Sequence, residues 1–207
     1  MRTQGQRAMI VVALAMLAAC RSERPVAPPP AVPPANAAQL LAALRQGGLV
    51  LMRHAASEPG QDDAARVVLE DCATQRLLSA AGRAEAEAIA AAVRRLRIPI
   101  ATVRSSPYCR CADTARLAFG FVLLDDDLLP AQGPRAESHL AAARRQLGTP
   151  PIPGHHTVLV THADTIRALV GLELDEGEAL IVRPAPKGGS FTPVGRIRAE
   201  QWSALAG

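Results

Sequence analysis

The feature that most constrains the fold is a series of short apolar runs alternating with segments of helical spacing. The runs Leu49–Met52, Ile98–Val103 and Thr157–Val160 are largely apolar and too short for ordinary helices. Such runs are typical of strands buried on both faces of a parallel sheet. The alternation predicts an α/β fold with three layers, in which a mostly parallel central sheet has helices on both faces.

The segments between and after these runs predict the helices and the remaining strands of the domain. Ser79 is a candidate N-cap for a helix whose apolar stripe is Ala86, Ile89, Val93 and Leu96. Ser106 and Pro107 are a candidate N-cap and first residue of a helix that runs to Ala118. Further helices are predicted over 39–45, 137–147 and 165–172, and further strands over 121–124, 180–182 and 191–197.

The first 19 residues predict a signal peptide. Arg2 and Arg7 precede the apolar run Ala8–Ala19, which is shorter than the roughly 20 residues of a membrane-spanning helix. The end of this run, Leu17-Ala18-Ala19-Cys20, resembles the lipobox of bacterial lipoproteins. That resemblance implies cleavage before Cys20 and lipidation of its sulfur and new amino terminus. The alternative is an ordinary signal peptide with a chance cysteine.

Residues 20–36 are interpreted as the lipidated cysteine and a proline-rich tether. Prolines at 25, 28, 29, 30, 33 and 34 exclude a helix or a central strand there. As polyproline II, at ~3.1 Å per residue, the tether would hold a domain roughly 50 Å from its anchor. One domain is predicted over 37–207. Arg21 in place of aspartate favours, by the lipoprotein sorting rule, the periplasmic side of the outer membrane.

The charge and the aromatic content argue against nucleic acid as a partner. The formal net charge is +4 and aromatic residues make up 2% of the chain. Nucleic-acid-binding domains need a strong basic surface and often use aromatic stacking platforms. The predicted partners are therefore a membrane, through the lipid anchor, and a small substrate.

Polar residues follow the predicted strands where each one ends. Arg53 and His54 follow the first run, Arg110 falls in the first turn of the helix after the second, and His162 and Asp164 follow the third. The carboxyl ends of parallel strands form the ligand-binding edge of such sheets. Arginines and a helix N-terminus bind phosphate, and a histidine among them can attack phosphorus.

Four segments in order resemble the histidine phosphatase superfamily, which has the phosphoglycerate-mutase-like fold. They are LMRHA for the R-H-G signature, CATQRLLSAAGRAEAEAIA, SSPYCRCADTA and VLVTHAD, within about Leu40–Trp202. The signature glycines are replaced by Ala55 and Ala163. The resemblance is greatest to short periplasmic members, which carry D-C-x-x-Q-R and a late G-E-A, here at 71–76 and 177–179.

The resemblance implies a role for each matched residue. His54 would be the nucleophile, and Arg53, Arg110 and His162 would hold the phosphoryl group, with Ser57 as a further phosphate contact. It implies no metal and no cofactor.

The acid that protonates the leaving group has three candidates. Asp164 is one, with a helix N-cap as its alternative reading, and Glu178 is another. The third is the run Asp125–Asp127, for which a solvated loop is the preferred interpretation.

The cysteines of the domain could form a disulfide, and its adjacent histidines could bind a metal. Cys109 and Cys111 are about 200° apart around a helix, so only one of them can face Cys72. The periplasmic resemblance favours a Cys72–Cys109 disulfide, and three free thiols are the alternative. His155 and His156 are interpreted as a solvated turn rather than a metal site.

The function implied is hydrolysis of a phosphomonoester through a phosphohistidine intermediate in the periplasm, with an envelope sugar phosphate as the expected substrate. The alternatives are a phosphohistidine-protein phosphatase and a non-catalytic envelope-binding lipoprotein on the same fold.

Overall fold

The computed structural model describes residues 31–185 and 190–207. The predicted signal peptide, Cys20 and the tether up to residue 30 lie outside the described residues. Within these ranges, no helix has the length and apolar character needed to cross a membrane.

Helices and strands alternate through most of the described chain. The helices are α1 (Ala37–Gln46), α2 (Ala80–Leu96), α3 (Cys109–Phe119), α4 (Ala136–Leu147), α5 (Ala163–Val170) and α6 (Gln201–Ala206). The strands are β1 (Gly48–Arg53), β2 (Ile100–Ser105), β3 (Leu123–Leu124), β4 (His156–Thr161), β5 (Ala179–Pro184) and β6 (Phe191–Ile197). Two short 3-10 helices, Cys72–Thr74 and Asp126–Leu128, lie in the connections.

The strands form one six-stranded sheet in the order β3-β2-β4-β1-β5-β6. The first four strands of this order are mutually parallel, whereas β5 is antiparallel to β1 and β6 is antiparallel to β5. In the central pair, Leu51 of β1 lies opposite Leu159 of β4. The predicted α/β class with a mostly parallel sheet is confirmed.

Alternate residues of each central strand enter two separate apolar cores. Val50 and Met52 pack in one core with α1, α2, α3 and α6. Leu49 and Leu51 pack in the other core with α4 and α5. This alternation follows from the two-residue period of a strand, and it accounts for the continuous apolar sequence of β1. The three-layer prediction is confirmed.

The last residues of the predicted tether contact the domain. Val32 packs against one core and Ala35 against the other. Asn36 caps α1 through a capping box with Gln39, since each side chain accepts a hydrogen bond from the other's backbone N–H. Ordered contacts therefore begin before residue 37.

Two predictions, for the start of α3 and for the surroundings of His156, were wrong. In each case the folded chain makes a polar contact that accounts for the difference. Helix α3 begins at Cys109 rather than at Pro107, and the Ser106 hydroxyl lies 2.9 Å from His162 Nε2. His156 is fully buried in β4 rather than in a solvated turn, because its Nε2 bonds the Leu44 carbonyl oxygen at 2.8 Å. A buried imidazole requires such a partner.

Candidate active site

A cavity of about 570 Å³ opens at the carboxyl ends of β1, β2 and β4. Five of the predicted site residues line it: Arg53, His54, Arg110, His162 and Asp164. Arg53 ends β1, Arg110 is the second residue of α3, and His162 immediately precedes α5. The structure therefore brings these side chains together from three strand ends.

Backbone pairing aligns the two histidines. His54 donates its N–H to the Thr161 carbonyl oxygen at 3.1 Å, which extends the β1–β4 ladder by one residue. The His54 and His162 ring centroids lie 5.8 Å apart. On the other side, Gly177 donates its N–H to the His54 carbonyl oxygen at 2.9 Å. The two rings are thus positioned by the sheet rather than by a loop.

His54 is held as a neutral imidazole with a defined tautomer. Its Nδ1 lies 2.9 Å from the Ala55 carbonyl oxygen, which can only accept, so Nδ1 carries the proton and Nε2 carries the lone pair. Burial lowers the pKa of His54 to about 4, and the charges of Arg110 and Arg53 also lower it. The hydrogen bond to the Ala55 carbonyl oxygen and the negative charge of Glu176 raise it by less. At neutral pH the ring is a nitrogen nucleophile.

His162 is also neutral in the free protein. Its Nδ1 lies 3.4 Å from an Arg110 guanidinium nitrogen, which can only donate, and its Nε2 bonds the Ser106 hydroxyl. This arrangement places the proton of the neutral ring on Nε2. Burial lowers the pKa of His162 well below its ordinary value, and the charges of Arg110, Arg76 and Arg53, together with that of His54 whenever it is protonated, lower it further.

Glu176 holds both Arg53 and Ser57. Its Oε1 accepts from the Ser57 hydroxyl at 2.6 Å and from Arg53 Nη2 at 3.3 Å, while its Oε2 accepts from the Ser57 N–H at 3.1 Å. Arg53 also donates to the Leu174 carbonyl oxygen. Burial raises the pKa of Glu176, but the Ser57 hydrogen bonds and the nearby positive charges outweigh it and lower the pKa overall.

The structure does not bring Ser57 to the cavity as the phosphate contact that the resemblance implies. Its hydroxyl donates to the Glu176 carboxylate, and Ser57 is not among the residues that line the cavity. A carboxylate that takes both the hydroxyl and the backbone N–H leaves neither donor for a phosphoryl oxygen.

Arg110 is paired with a carboxylate that also lines the cavity. Its Nη1 and Nη2 donate to the two oxygens of Asp63 at 2.8 and 3.2 Å, and its guanidinium lies 4.6 Å from the centroid of the Tyr108 ring. Within the described residues, the Nε atoms of Arg110 and Arg53 are buried without a partner. Two guanidinium groups that line one cavity fit the recognition of an oxyanion.

The D-C-x-x-Q-R segment ties the loop after β1 to the start of α3. Cys72 and Cys109 form a disulfide, which is the pair that the periplasmic resemblance implied. Gln75 is buried, and its side-chain oxygen accepts from the first α3 N–H, that of Cys109, at 2.8 Å. Both links hold the helix turn that carries Arg110.

Helix α2 packs unusually close to the loop that follows His54. A methyl group added at Gly82 would lie 1.9 Å from the Ala56 carbonyl oxygen, so only glycine permits this approach. The glycine of the L-S-x-x-G segment thus positions residues 55–57. The Ala55 methyl group, which replaces a signature glycine, packs in the core, while Ala163 lines the cavity.

The structure separates Asp164 and Glu178, two of the candidate acids. Asp164 lines the cavity, where its Oδ2 accepts from Gln132 at 3.1 Å and its Oδ1 accepts from the Thr165 N–H at 2.8 Å. Glu178 is buried outside the cavity and accepts two hydrogen bonds of 2.7 Å from Arg196. The structure therefore does not bring Glu178 to this cavity, because its carboxylate bonds Arg196 of β6.

The aspartate run is partly buried rather than simply solvated. Asp125 accepts hydrogen bonds from Arg104 and Gln146, and it caps the short 3-10 helix that follows. These bonds give it a structural role away from the cavity.

Cys111 is the free cysteine of the described chain. Its sulfur lies 3.5 Å from His162 Nε2, and complete burial raises the pKa of the thiol to about 12. It therefore packs behind His162 as an uncharged group. Among the described residues, no cluster of three or more His, Cys, Asp or Glu side chains could hold a metal ion.

Sequence reasoning missed Asp63, Ser106 and Glu176 as parts of the site. Ser106 carried a signal, since it follows a strand end, but it was assigned to a helix cap. Asp63 and Glu176 lie in loops, 47 residues from Arg110 and 119 residues from Ser57, and no local pattern marks them.

Comparisons with known proteins agree with this geometry. Residues 49–128 match the model of the histidine phosphatase superfamily, branch 1. Comparison with curated protein sequences finds no significant match.

Solved structures of phosphatases resemble the chain in fold. The protein histidine phosphatase SixA complexed with tungstate is 17% identical with a TM-score of 0.54, over 74% of this chain and 97% of that chain. A SixA-like protein described as a phosphohistidine phosphatase from Agrobacterium tumefaciens is 19% identical with a TM-score of 0.50, over 72% and 96%. A phosphoserine phosphatase mutant from Entamoeba histolytica is 13% identical with a TM-score of 0.51, over 73% and 97%.

The family match covers nearly all of β1 together with α2, β2, α3 and β3, and the fold likeness covers 72–74% of the chain. Residues 49–128 are therefore similar to the histidine phosphatase superfamily, branch 1, and the chain shares the fold of solved phosphatases.

Proposed function

We propose that the protein is a metal-independent phosphomonoesterase that works through a phosphohistidine on His54. The observation that carries the proposal is the neutral, buried His54 in one cavity with two arginines, Arg53 and Arg110. A neutral imidazole supplies the lone pair, and the guanidinium groups supply the charge that an oxyanion needs.

The reaction proceeds in two transfers. His54 Nε2 attacks phosphorus while the ester P–O bond breaks, and the leaving oxygen departs with the bonding electrons and takes the proton of Asp164. Water then attacks phosphorus, the P–N bond breaks, and the water proton passes to the Asp164 carboxylate. The products are an alcohol and inorganic phosphate, and both His54 and Asp164 are restored.

Each supporting side chain has a task in these steps. The bond from His54 Nδ1 to the Ala55 carbonyl oxygen stabilises the positive charge that develops on the phosphorylated ring. Arg53, Arg110 and His162 hold the phosphoryl oxygens, and the arriving dianion favours protonation of His162, which lets that ring donate. Electrostatic stabilisation of this kind dominates phosphoryl transfer.

The second part of the proposal is the location. The leader and the Leu17–Cys20 segment support a lipoprotein anchored on the periplasmic side of the envelope, with an envelope sugar phosphate as its substrate. The Cys72–Cys109 disulfide is in keeping with this location, because disulfides persist in oxidising compartments.

The test of the chemistry is trapping of the phosphoenzyme. The purified full-length protein is mixed with a labelled phosphomonoester, quenched, and assayed for acid-labile label, and turnover of p-nitrophenyl phosphate is measured in parallel. His54→Ala should lose both, whereas His155→Ala, at the opposite end of β4, should keep both. A folded His54→Ala protein with normal turnover would refute the mechanism, and a wild-type protein with neither signal would favour a binding module.

A further inference from the structure

Arg76 lies in the active-site cavity with no carboxylate partner. It lines the cavity, and its positive charge lowers the pKa of both Asp63 and His162. Arg53, Arg110 and Arg167 also line the cavity, but each forms an ion pair, with Glu176, Asp63 and Glu173 respectively. Among the described residues, the Arg76 side chain makes no ion pair and no hydrogen bond; only its backbone bonds appear.

The backbone of Arg76 is fixed into the wall of the cavity. Its N–H donates to Asp63 Oδ1 at 2.8 Å, and its carbonyl oxygen accepts from Arg110 Nη1 at 3.4 Å. The preceding residue, Gln75, is buried and donates to the Val68 and Leu69 carbonyl oxygens. The guanidinium is therefore presented from a rigid segment, which reduces the entropic cost of binding a ligand.

The cavity is larger than a phosphoryl group requires. Its volume of about 570 Å³ falls in the range of pockets that take whole small molecules. Beyond the histidines, the wall offers apolar surface from Val67, Leu69, Leu129 and Pro130, together with the Tyr108 ring. The Arg76 backbone contacts Asp63 and Arg110, so Arg76 lies on the Arg110 side of the cavity. A substrate body that leaves the phosphoryl site can run along this wall toward Arg76.

We propose that Arg76 forms a second anion subsite, so that the preferred substrates are phosphomonoesters that carry another anionic group, a carboxylate or a second phosphate, on an otherwise neutral body. The inference rests on the proposed phosphatase function and names the substrate class of the same site.

The test uses aryl phosphates that differ in one charge. The substrates are carboxyphenyl phosphate and its neutral isostere carbamoylphenyl phosphate, each as the meta and para isomer, assayed with the full-length protein. A charge-assisted bidentate contact should favour one carboxylate isomer by about tenfold or more in kcat/KM. Arg76→Gln should remove that preference, so that the carboxylate and carbamoyl substrates react with similar kcat/KM, and Arg76→Lys should keep part of it.

The control variant is Arg94→Gln, an exposed arginine near the end of α2 that makes the same change in net charge. It should keep the full preference. If wild-type protein shows no preference for either isomer, or if Arg76→Gln slows all four substrates equally, the second subsite is refuted. An equal loss would place Arg76 at the phosphoryl group instead.

A binding measurement separates this inference from the proposed activity. Calorimetry compares carboxybenzylphosphonate with carbamoylbenzylphosphonate, neither of which can be hydrolysed at the C–P bond by the proposed route. A protein that hydrolyses nothing but binds the carboxylate analogue about tenfold more tightly, through Arg76, would refute the phosphatase proposal and keep the subsite. Equal binding of both analogues would refute the subsite whatever the activity.

Discussion

Both oxygens of Asp63 accept hydrogen bonds from the guanidinium of Arg110, at 2.8 and 3.2 Å. Arg110 is 5% exposed, so the carboxylate satisfies a charge that would otherwise be buried alone in the free protein. Burial raises the pKa of Asp63, but the Arg110 hydrogen bond outweighs it and lowers the pKa overall. The free site thus contains its own anion where a phosphoryl group is proposed to bind.

We expect Asp63→Asn to lower stability and to strengthen binding of inorganic phosphate. The unfolding free energy should fall by about 1–3 kcal/mol, because Arg110 loses its charged partner. Added phosphate should then raise the melting temperature of this variant more than that of wild-type protein, since the ion replaces the lost carboxylate.

The matched control is Asp113→Asn, because Asp113 pairs with the more exposed Arg83 and Arg116. Its loss should cost little, as for surface pairs in general. Equal phosphate-induced shifts in wild-type protein and Asp63→Asn would show that Asp63 does not compete for Arg110.

The depressed pKa values of the two active-site histidines predict lower stability in mild acid. In the unfolded chain His54 takes up a proton near its ordinary pKa of 6.5, whereas in the folded protein it does so only near about 4. The unfolded state therefore binds more protons between these values, so stability is full above pH 6.5 and falls as pH decreases toward 4. His54 alone contributes a slope of up to about 1.4 kcal/mol per pH unit.

Urea unfolding at pH 7, 6 and 5 measures this slope. His54→Asn should flatten it, and His162→Asn should flatten it as well, because the pKa of His162 is also lowered. If His54→Asn loses as much free energy between pH 7 and 5 as wild-type protein, His54 is not buried in its neutral form.

Glu176 should act on His54 through charge as well as through Arg53. Its Oε1 lies 4.0 Å from His54 Nδ1, and its negative charge raises the pKa of His54. Glu176→Gln should therefore move the His54 pKa further down, and it should raise KM because Arg53 loses an anchor. Ring-nitrogen NMR titration of His54 reads the first effect, which a purely structural role would not produce.

Glu173→Gln is the control for this variant, since Glu173 lies in the same loop but pairs with the exposed Arg167. It should leave the His54 pKa unchanged. An upward shift in Glu176→Gln would contradict the assigned geometry.

The contrast between Glu176 and Glu178 shows how far sequence reasoning reaches. The strand ends were predictable, because apolar runs and the residues after them are local signals, and His54, Arg53, Arg110 and His162 all follow from them. Which of the two glutamates in Glu176-Gly177-Glu178 contacts Arg53 depends on the turn at Gly177, with φ of +74°, and on Arg196 across the sheet. Contacts of that kind are set by tertiary packing, and a single sequence does not reveal them.

Ser106 also makes a tertiary contact that the sequence does not reveal. Serine before proline is a common helix start, and that local preference predicted the cap. In the folded chain its hydroxyl bonds His162, which is 56 residues away, and α3 begins with no side-chain cap at all. The tertiary hydrogen bond to a buried imidazole prevails over the local preference.

The last prediction concerns Asp164 as the proposed proton donor. Protonation of the leaving group matters most for an alkoxide, which is a poor leaving group, and least for p-nitrophenolate. Asp164→Asn should therefore slow hydrolysis of a sugar phosphate by about 10²–10⁴-fold while it changes p-nitrophenyl phosphate hydrolysis far less. Glu178→Gln is the control, because its carboxylate bonds Arg196 outside the cavity, and any loss in folded protein should be the same for both substrates. Equal losses on the two substrates in Asp164→Asn would contradict this role. Asp164 would then be a helix-end residue that bonds Gln132 and the Thr165 N–H, and another group at the cavity would supply the proton.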